Sequence, residues 1–464
     1  MNKLSYCITG ILVFLVSCGD SKDDAIRWSD IKISASETTL IPERQTMEVS
    51  TTLTFSDPEH IDYIEITKIG GTKFSENVKV SSPTYIFKYK LDENDPDKFS
   101  FAVIGHIKDG SVTPPMYLQV DNRKGMFINN VTRVARVTGT PMEGETFPSP
   151  NETAVKWNVG GTDLGIIWEL TSGKYGMFFG DTFGSDFKPN TANPGPNGTS
   201  WRSNVLAFSE DTDLDDGMTI SSMASDNSGK AREIVYGGKD GSGMGDLTSI
   251  PTAAIRANGI DYVHYMNIRN WGGWLTNYSG IYKSTDNGKT WKQCPGVRFA
   301  SESKFAMAAY YKKDGYVYML GTKSGRTNPA CLARFKEADM EKQSAYEYWN
   351  GDTKTWVQGN ESKATVLLPG TVGEASIIYN EYFSKWIVAY FNGAKYNITM
   401  RYADEITGPW SEPLELASGR NYAQLYGSFF HPLSAKGRNL YFTMSMWMPY
   451  NTFLMKVELG GTGN

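Results

Sequence analysis

GTDLGIIWELTSGKYGMFFGDTFG, residues 161–184, holds two apolar runs, Leu164–Leu170 and Tyr175–Phe179, on either side of Thr171-Ser172-Gly173. Apolar runs of this length, bounded by glycines and split by a tight-turn signal, predict two buried strands joined as a hairpin. With Gly173 in the left-handed position of a three-residue loop, Leu170 falls opposite Lys174 and Asp163 opposite Asp181. A two-residue loop would move that register by one. Carboxylates directly opposed on paired strands destabilise the pair, so a site that offsets the cost is expected here. The alternative is that one acid caps a turn while the other is solvated.

Working outward, 464 residues exceed one ordinary domain, so two or more units are expected. The net charge of −5 argues against nucleic acid as a partner. Twelve Trp, 26 Tyr, 22 Phe and 46 Gly, with few long amphipathic helical patterns, point to an all-β chain of short strands. Trp and Tyr also suit stacking on sugar faces, although most aromatics in such a chain form core.

The hairpin pattern recurs. Apolar strands run into a turn and return as aromatic strands at Asp163–Asp181, Ser249–Asn267, Phe305–Lys323, Glu374–Asn392 and Gly427–Ser445. Successive starts lie 53 to 86 residues apart, room for about four short strands per unit. Five such units in a ring predict a five-bladed β-propeller over residues 126–459, each hairpin forming an inner strand pair. One β-sandwich of similar length would not explain five hairpins. Ser284-Thr285-Asp286-Asn287-Gly288-Lys289-Thr290-Trp291 independently resembles the Asp-box turn of sialidase-type propeller blades.

Upstream, alternating segments between about Trp28 and Val120 predict a small immunoglobulin-like β-sandwich over residues 27–122, read as a spacer. Lys3, the apolar run Ile8–Val16 and Leu15-Val16-Ser17-Cys18 resemble a bacterial lipobox, and the run is too short to span a membrane. The expectation is a signal peptide at 1–17, lipidation of Cys18 and a tether at 18–26. The acidic Gly19–Asp24 stretch resembles the export signal of Bacteroides-group surface lipoproteins. That places the protein at the outer membrane as a lipid-anchored, surface-exposed monomer. Cys294 and Cys331 could pair or remain free thiols, and four scattered histidines with no CxxC or HExxH motif argue against a transition-metal enzyme.

Aligned by their turns, the hairpins begin at Asp163, Ser249, Phe305, Glu374 and Gly427. Asp163, Asp181 and Glu374 therefore face one mouth of the channel and are the candidate catalytic acids. Clustered carboxylates without a metal motif suit glycosidic acid/base chemistry, one protonated and one ionised. No cofactor is required. A structural Ca²⁺ is the competing use of the same acids. Candidate substrate-binding residues are Trp201, Arg202, Asn204, Trp271, Tyr426, His431 and Trp447, each with an ordinary structural alternative as core or ion pair.

Several separated motifs occur in one order: Gly161-Thr162-Asp163-Leu164-Gly165, Phe179-Gly180-Asp181-Thr182, Trp201-Arg202-Ser203-Asn204 and Ile281–Trp291. Gly373-Glu374-Ala375-Ser376, Arg401-Tyr402-Ala403-Asp404, Gly408-Pro409-Trp410-Ser411 and Tyr426-Gly427-Ser428 through Trp447 follow. Over roughly residues 126–459 the chain resembles the propeller family of endo-D-arabinofuranases, glycoside hydrolase family 183, long catalogued as a domain of unknown function. The resemblance implies that Asp163 and Asp181 are the catalytic pair. It also implies cleavage of α-D-arabinofuranosyl linkages in a D-arabinan of the arabinogalactan or lipoarabinomannan type. Gly427-Ser428-Phe429-Phe430 departs from the family's last motif, which bears on substrate more than on reaction. A non-catalytic glycan-binding surface lipoprotein, or a propeller glycosidase acting on another furanoside, are the alternatives.

Overall fold

The computed structural model describes residues 31–43, 46–123 and 125–461. The signal peptide, Cys18, the tether and residues 27–30 lie outside the described residues. The chain divides into two compact units between Asn122 and Arg123.

The first unit is a sandwich. One sheet orders Ile33–Ala35, Glu48–Phe55 and Thr84–Lys90; the other orders Thr39–Leu40, Met116–Asp121, Lys98–Ile107, Ile61–Ile69 and Ser75–Lys79. Alternate residues of Lys98–Ile107 are buried, as a strand with one face on a core requires. Val49, Leu53 and Phe87 of the first sheet meet Ile64, Phe101 and Leu118 of the second in one apolar cluster.

The second unit is an all-β propeller of five antiparallel sheets. Their first two strands are Leu164–Thr171 with Lys174–Phe179, Thr248–Ala257 with Ile260–Asn270, and Met307–Lys313 with Tyr316–Thr322. Ala375–Asn380 with Lys385–Asn392 and Leu425–Phe430 with Asn439–Met446 complete the set. The five first strands adjoin one another in cyclic order, and the first meets the fifth. Thr248–Ala257 is buried almost throughout because neighbouring sheets cover both its faces. Such strands read as continuous apolar runs, which is why the hairpins stood out in sequence. The fifth sheet takes its outermost strand, Phe127–Arg136, from the start of the unit, antiparallel to Asn451–Gly460.

The Asp-box forms as a turn. Asp286 accepts from Thr290 N–H (2.9 Å), Thr290 Oγ1 (2.6 Å) and Ser284 Oγ (2.7 Å). Those donors hold its carboxyl down at about 2. Trp291 packs edge-on against Trp168 and Phe178 of the preceding sheet, so the box works as a rivet between blades. Cys294 and Cys331 are both buried free thiols.

The register of the first hairpin differs from the expected one at both ends. Thr171 pairs with Lys174, leaving a two-residue turn, and an irregularity beside it restores the expected pairing from Glu169–Tyr175 to Ile166–Phe178. A second irregularity at Gly165 (φ +99°) shifts the strands again, so Leu164 pairs with Phe179. The Asp163 carbonyl consequently accepts the N–H of Gly180 (3.1 Å), not of Asp181. A bulge spends one extra residue to re-aim side chains, and here it takes two like charges out of direct opposition.

Candidate active site

A cavity of about 680 Å³ opens where the inner strands begin, and Asp163, Asp181 and Glu374 all line it. Asp163 precedes the first inner strand and Asp181 follows the second. Gly180 lies against Asp163: a Cβ there would stand 2.4 Å from Asp163 Oδ1, so a side chain at this position would displace the carboxylate.

The two aspartates sit in unequal surroundings. Asp163 Oδ2 accepts from the hydroxyl of Tyr426 at 2.9 Å. Its Oδ1 is buried, and no donor meets hydrogen-bond geometry there. Burial, with the charge of Asp181 added, pushes Asp163 up to about 7. Asp181 is 5% exposed, and its Oδ1 accepts from Trp201 Nε1 (2.7 Å) and Thr248 Oγ1 (2.7 Å). Burial pushes it up as well, to about 6, against the pull of those two donors and of Lys239. Donors aimed at a carboxylate favour its charged form. Asp181 has two at 2.7 Å, whereas Asp163, beside the hydroxyls of Tyr426 and Tyr450, bears the repulsion of both Asp181 and Glu374, so Asp163 is the better proton holder.

Glu374 stands differently from the third catalytic acid expected of it. Its two oxygens accept from Arg326 Nε at 3.0 and 3.1 Å, and Oε1 also from Nη2 at 2.6 Å. A carboxylate clamped in this fork is an ion-pair partner, not a free acid. The Arg326 guanidinium lies 4.6 Å from the Tyr426 ring centroid and 4.8 Å from that of Trp274. Arg326 had no signal in the sequence, since Gly321–Asn328 reads only as a polar turn. Among the described residues no group of three or more His, Cys, Asp or Glu is placed to hold a metal ion.

The structure divides the expected sugar contacts. Trp271 and Trp447, each 38% exposed, line the cavity together with Tyr426. Trp201 braces Asp181 through its indole N–H. Arg202 is committed to backbone carbonyls of Ala231 (2.9 Å), Asn158 (2.7 Å) and Ser200 (2.9 Å). Asn204 is fully buried, donating to Val235 and Ser249 carbonyls and accepting from Ile234 and Val235 N–H. His431 lies outside the cavity: buried against Tyr175, it caps the turn Pro432–Ala435 through Nδ1. Arg202, Asn204 and His431 are therefore scaffold, because each has spent its polar atoms on backbone or lost access to the channel. Tyr450 and Gln424 line the cavity without having been singled out in sequence, and Trp274, beside Trp271, lines it too.

The profile of a family described as a domain of unknown function, DUF4185, matches residues 148–456. The chain belongs to that family. The DUF4185 segment contains every residue lining the cavity and leaves the sandwich outside. The chain is 29% identical over 314 residues to notoamide biosynthesis cluster protein J of Aspergillus sp. (strain MF297-2), covering 64% of this chain and 82% of that one. Among solved structures, a presumed hydrolase of Bacteroides ovatus is similar at a TM-score of 0.46 and 12% identity, over 66% of this chain and 87% of that one. An exo-beta-1,3-galactanase from Phanerochaete chrysosporium is similar at 0.39 and 11%, over 66% and 63%.

Proposed function

We propose that this DUF4185 protein is an endo-acting glycoside hydrolase that cleaves α-D-arabinofuranosyl linkages in a D-arabinan. The observation carrying the reaction class is the pair of enclosed aspartates at one cavity, with unequal hydrogen bonding that separates a proton holder from a charged partner. In this reading Asp163 gives its proton to the departing glycosidic oxygen while Tyr426 holds the carboxyl group in place. Asp181, fixed by Trp201 and Thr248, supplies the negative charge on which the second half of the displacement depends. Trp271 and Trp447 offer ring faces at the cavity edge for sugar stacking. The arabinan assignment is supported by the resemblance of the ordered motifs to those of endo-D-arabinofuranases.

Incubation of the protein with mycobacterial-type arabinogalactan, followed by chromatography, tests the reading. Ladders of short oligosaccharides are expected from the wild type and not from Asp163→Asn. Retention of intact glycan without any products would instead make the cavity a lectin site.

The lipobox supports a further proposal, that Cys18 anchors the protein to the outer membrane at the cell surface. Cys18→Ala should move it to the soluble fraction; a variant that stays with the membrane removes the anchor.

A further inference from the structure

Lys239 does not line the cavity, yet its ammonium group is tied to the residues that hold Asp181. Nζ donates to Glu233 Oε2 at 2.8 Å and to the hydroxyl of Ser203, and it lies 4.6 Å from the ring centroid of Trp201. That indole is the same one whose N–H is given to Asp181 Oδ1 at 2.7 Å. The lysine is held in place from several directions. Its backbone is left-handed (φ +60°), and its N–H is bound to the Leu247 carbonyl at 3.0 Å. Glu233 is fixed in turn, accepting from Ser203 N–H (2.6 Å) and Gly237 N–H (3.0 Å).

A plain ion-pair strut would need only Lys239 and Glu233. Seating the cation over an indole whose N–H is already committed to a carboxylate adds something else. A cation over an aromatic face is drawn to its negative quadrupole. Hydrogen-bonded groups in series polarise one another, so the ammonium makes the indole N–H a stronger donor to Asp181. The side chains of Lys239 and Glu233 are 30% and 20% exposed, so the arrangement is shielded from full solvent screening. The charged and titratable groups acting on Asp181 include Lys239, Glu233, Tyr450 and, through their mutual repulsion, Asp163. Trp201 and Thr248 are its neutral donors.

We propose that Lys239 is a positioning residue, acting through the Trp201 indole to hold Asp181 as the ionised member of the acid pair. The consequence for hydrolysis rests on the glycosidase reading, but the charge relay is measurable without it. Glu233 sets the opposing sign: it partly neutralises Lys239 and itself disfavours charge on Asp181.

The experiment follows the carboxyl resonance of Asp181 by NMR in full-length protein labelled with ¹³C-aspartate, identified by its loss in Asp181→Asn. In Lys239→Met the titration midpoint should rise by roughly one pH unit, as expected when a nearby opposite charge is removed. In Glu233→Gln it should fall, and in Lys239→Arg it should stay near the wild type. In a Trp201→Phe background, Lys239→Met should move it less. An unmoved midpoint in folded Lys239→Met, or shifts of the same sign in Lys239→Met and Glu233→Gln, would overturn the proposal, leaving the lysine a strut. An equal shift with and without Trp201 would overturn the indole route. Should Lys239→Met not fold, an unmoved or raised midpoint in Glu233→Gln overturns it alone. Opposite shifts in a protein that hydrolyses no glycan would keep the relay and remove the hydrolase.

Discussion

Asp163 and Asp181 are held in the fold at a cost that the reaction can use. Both are pushed above an unfolded aspartate near 3.9, to about 7 and about 6. The folded protein therefore binds more protons than the unfolded chain between about pH 4 and 7. Since the slope of unfolding free energy with pH follows unfolded minus folded protons, stability falls as pH rises through that window. At pH 8 both carboxylates are ionised and the full penalty applies. Asp163→Asn removes the larger share, so it should melt higher than the wild type at pH 8 and by a smaller margin at pH 4.5. The same variant should lose at least about a hundredfold in kcat, the low end for a general acid. Calorimetry with pH–rate profiles checks both. The wild-type rate should be bell-shaped, with an acid limb from Asp181 and an alkaline limb from Asp163; Asp163→Asn should lose the alkaline limb and Asp181→Asn the acid one. Asp163→Asn melting lower than wild type at pH 8 would mean that the aspartate is structural. Glu374→Gln keeps the shape of the Arg326 partner but removes its charge. It should cost less rate than Asp163→Asn, since both Glu374 oxygens are occupied by Arg326, and should move the alkaline limb to lower pH, since the charge of Glu374 helps to raise Asp163.

At the scale of the first hairpin, Gly165 decides where the acids point. Its φ is +99°, and an added Cβ would meet Thr452 Cγ2 at 3.0 Å and Thr443 Cβ at 3.1 Å. Gly165→Ala thus combines backbone strain with crowding, and should destabilise the propeller by about 1–3 kcal/mol. It should also lower kcat beyond what the stability loss explains, because flattening the bulge would restore the like-charge opposition of Asp163 and Asp181. Denaturant melts and kinetics on the folded fraction separate the two effects, and full activity in a destabilised Gly165→Ala would show that the bulge does not aim the acids. The hairpin itself was legible because two apolar runs flank a turn, and its central register follows from counting outward. The bulge was not, since a glycine in a strand announces an irregularity without saying on which side the extra residue falls. Arg326, Lys239 and Thr248 escaped for a related reason. They reach the acids from other sheets or loops, and only the closed ring brings them near.

Across the whole second unit, the repeated hairpins were readable because the inner strands are largely buried and so are written as mostly apolar runs on either side of a turn. The closure of the ring was not readable. Phe127–Arg136 and Asn451–Gly460 come from opposite ends of the unit, and neither carries a local signal for the other. Their pairing covers a strand whose Met455, Val457 and Leu459 are fully buried, and Ile128 and Val131 pack against the same cluster from the covering side. Without it, Asn451–Gly460 becomes a long apolar edge, the kind of surface that recruits other chains. The ring would also lose its strand-to-strand ladder between the first and last segments of the propeller, leaving isolated hydrogen bonds such as Thr162 N–H to the Tyr450 carbonyl (2.8 Å) and the contacts among the inner strands. A chain beginning at Arg123 should therefore melt in one cooperative transition, whereas one beginning at Val137 should be aggregation-prone and should melt lower and more broadly. Supplying residues 125–137 as a peptide should restore part of the lost stability in a concentration-dependent way, since a ligand that binds only the folded state stabilises it by mass action. Scanning calorimetry and sedimentation check all three forms. Equal melting temperatures for the chains beginning at Arg123 and Val137 would show that the inner strands alone hold the ring closed.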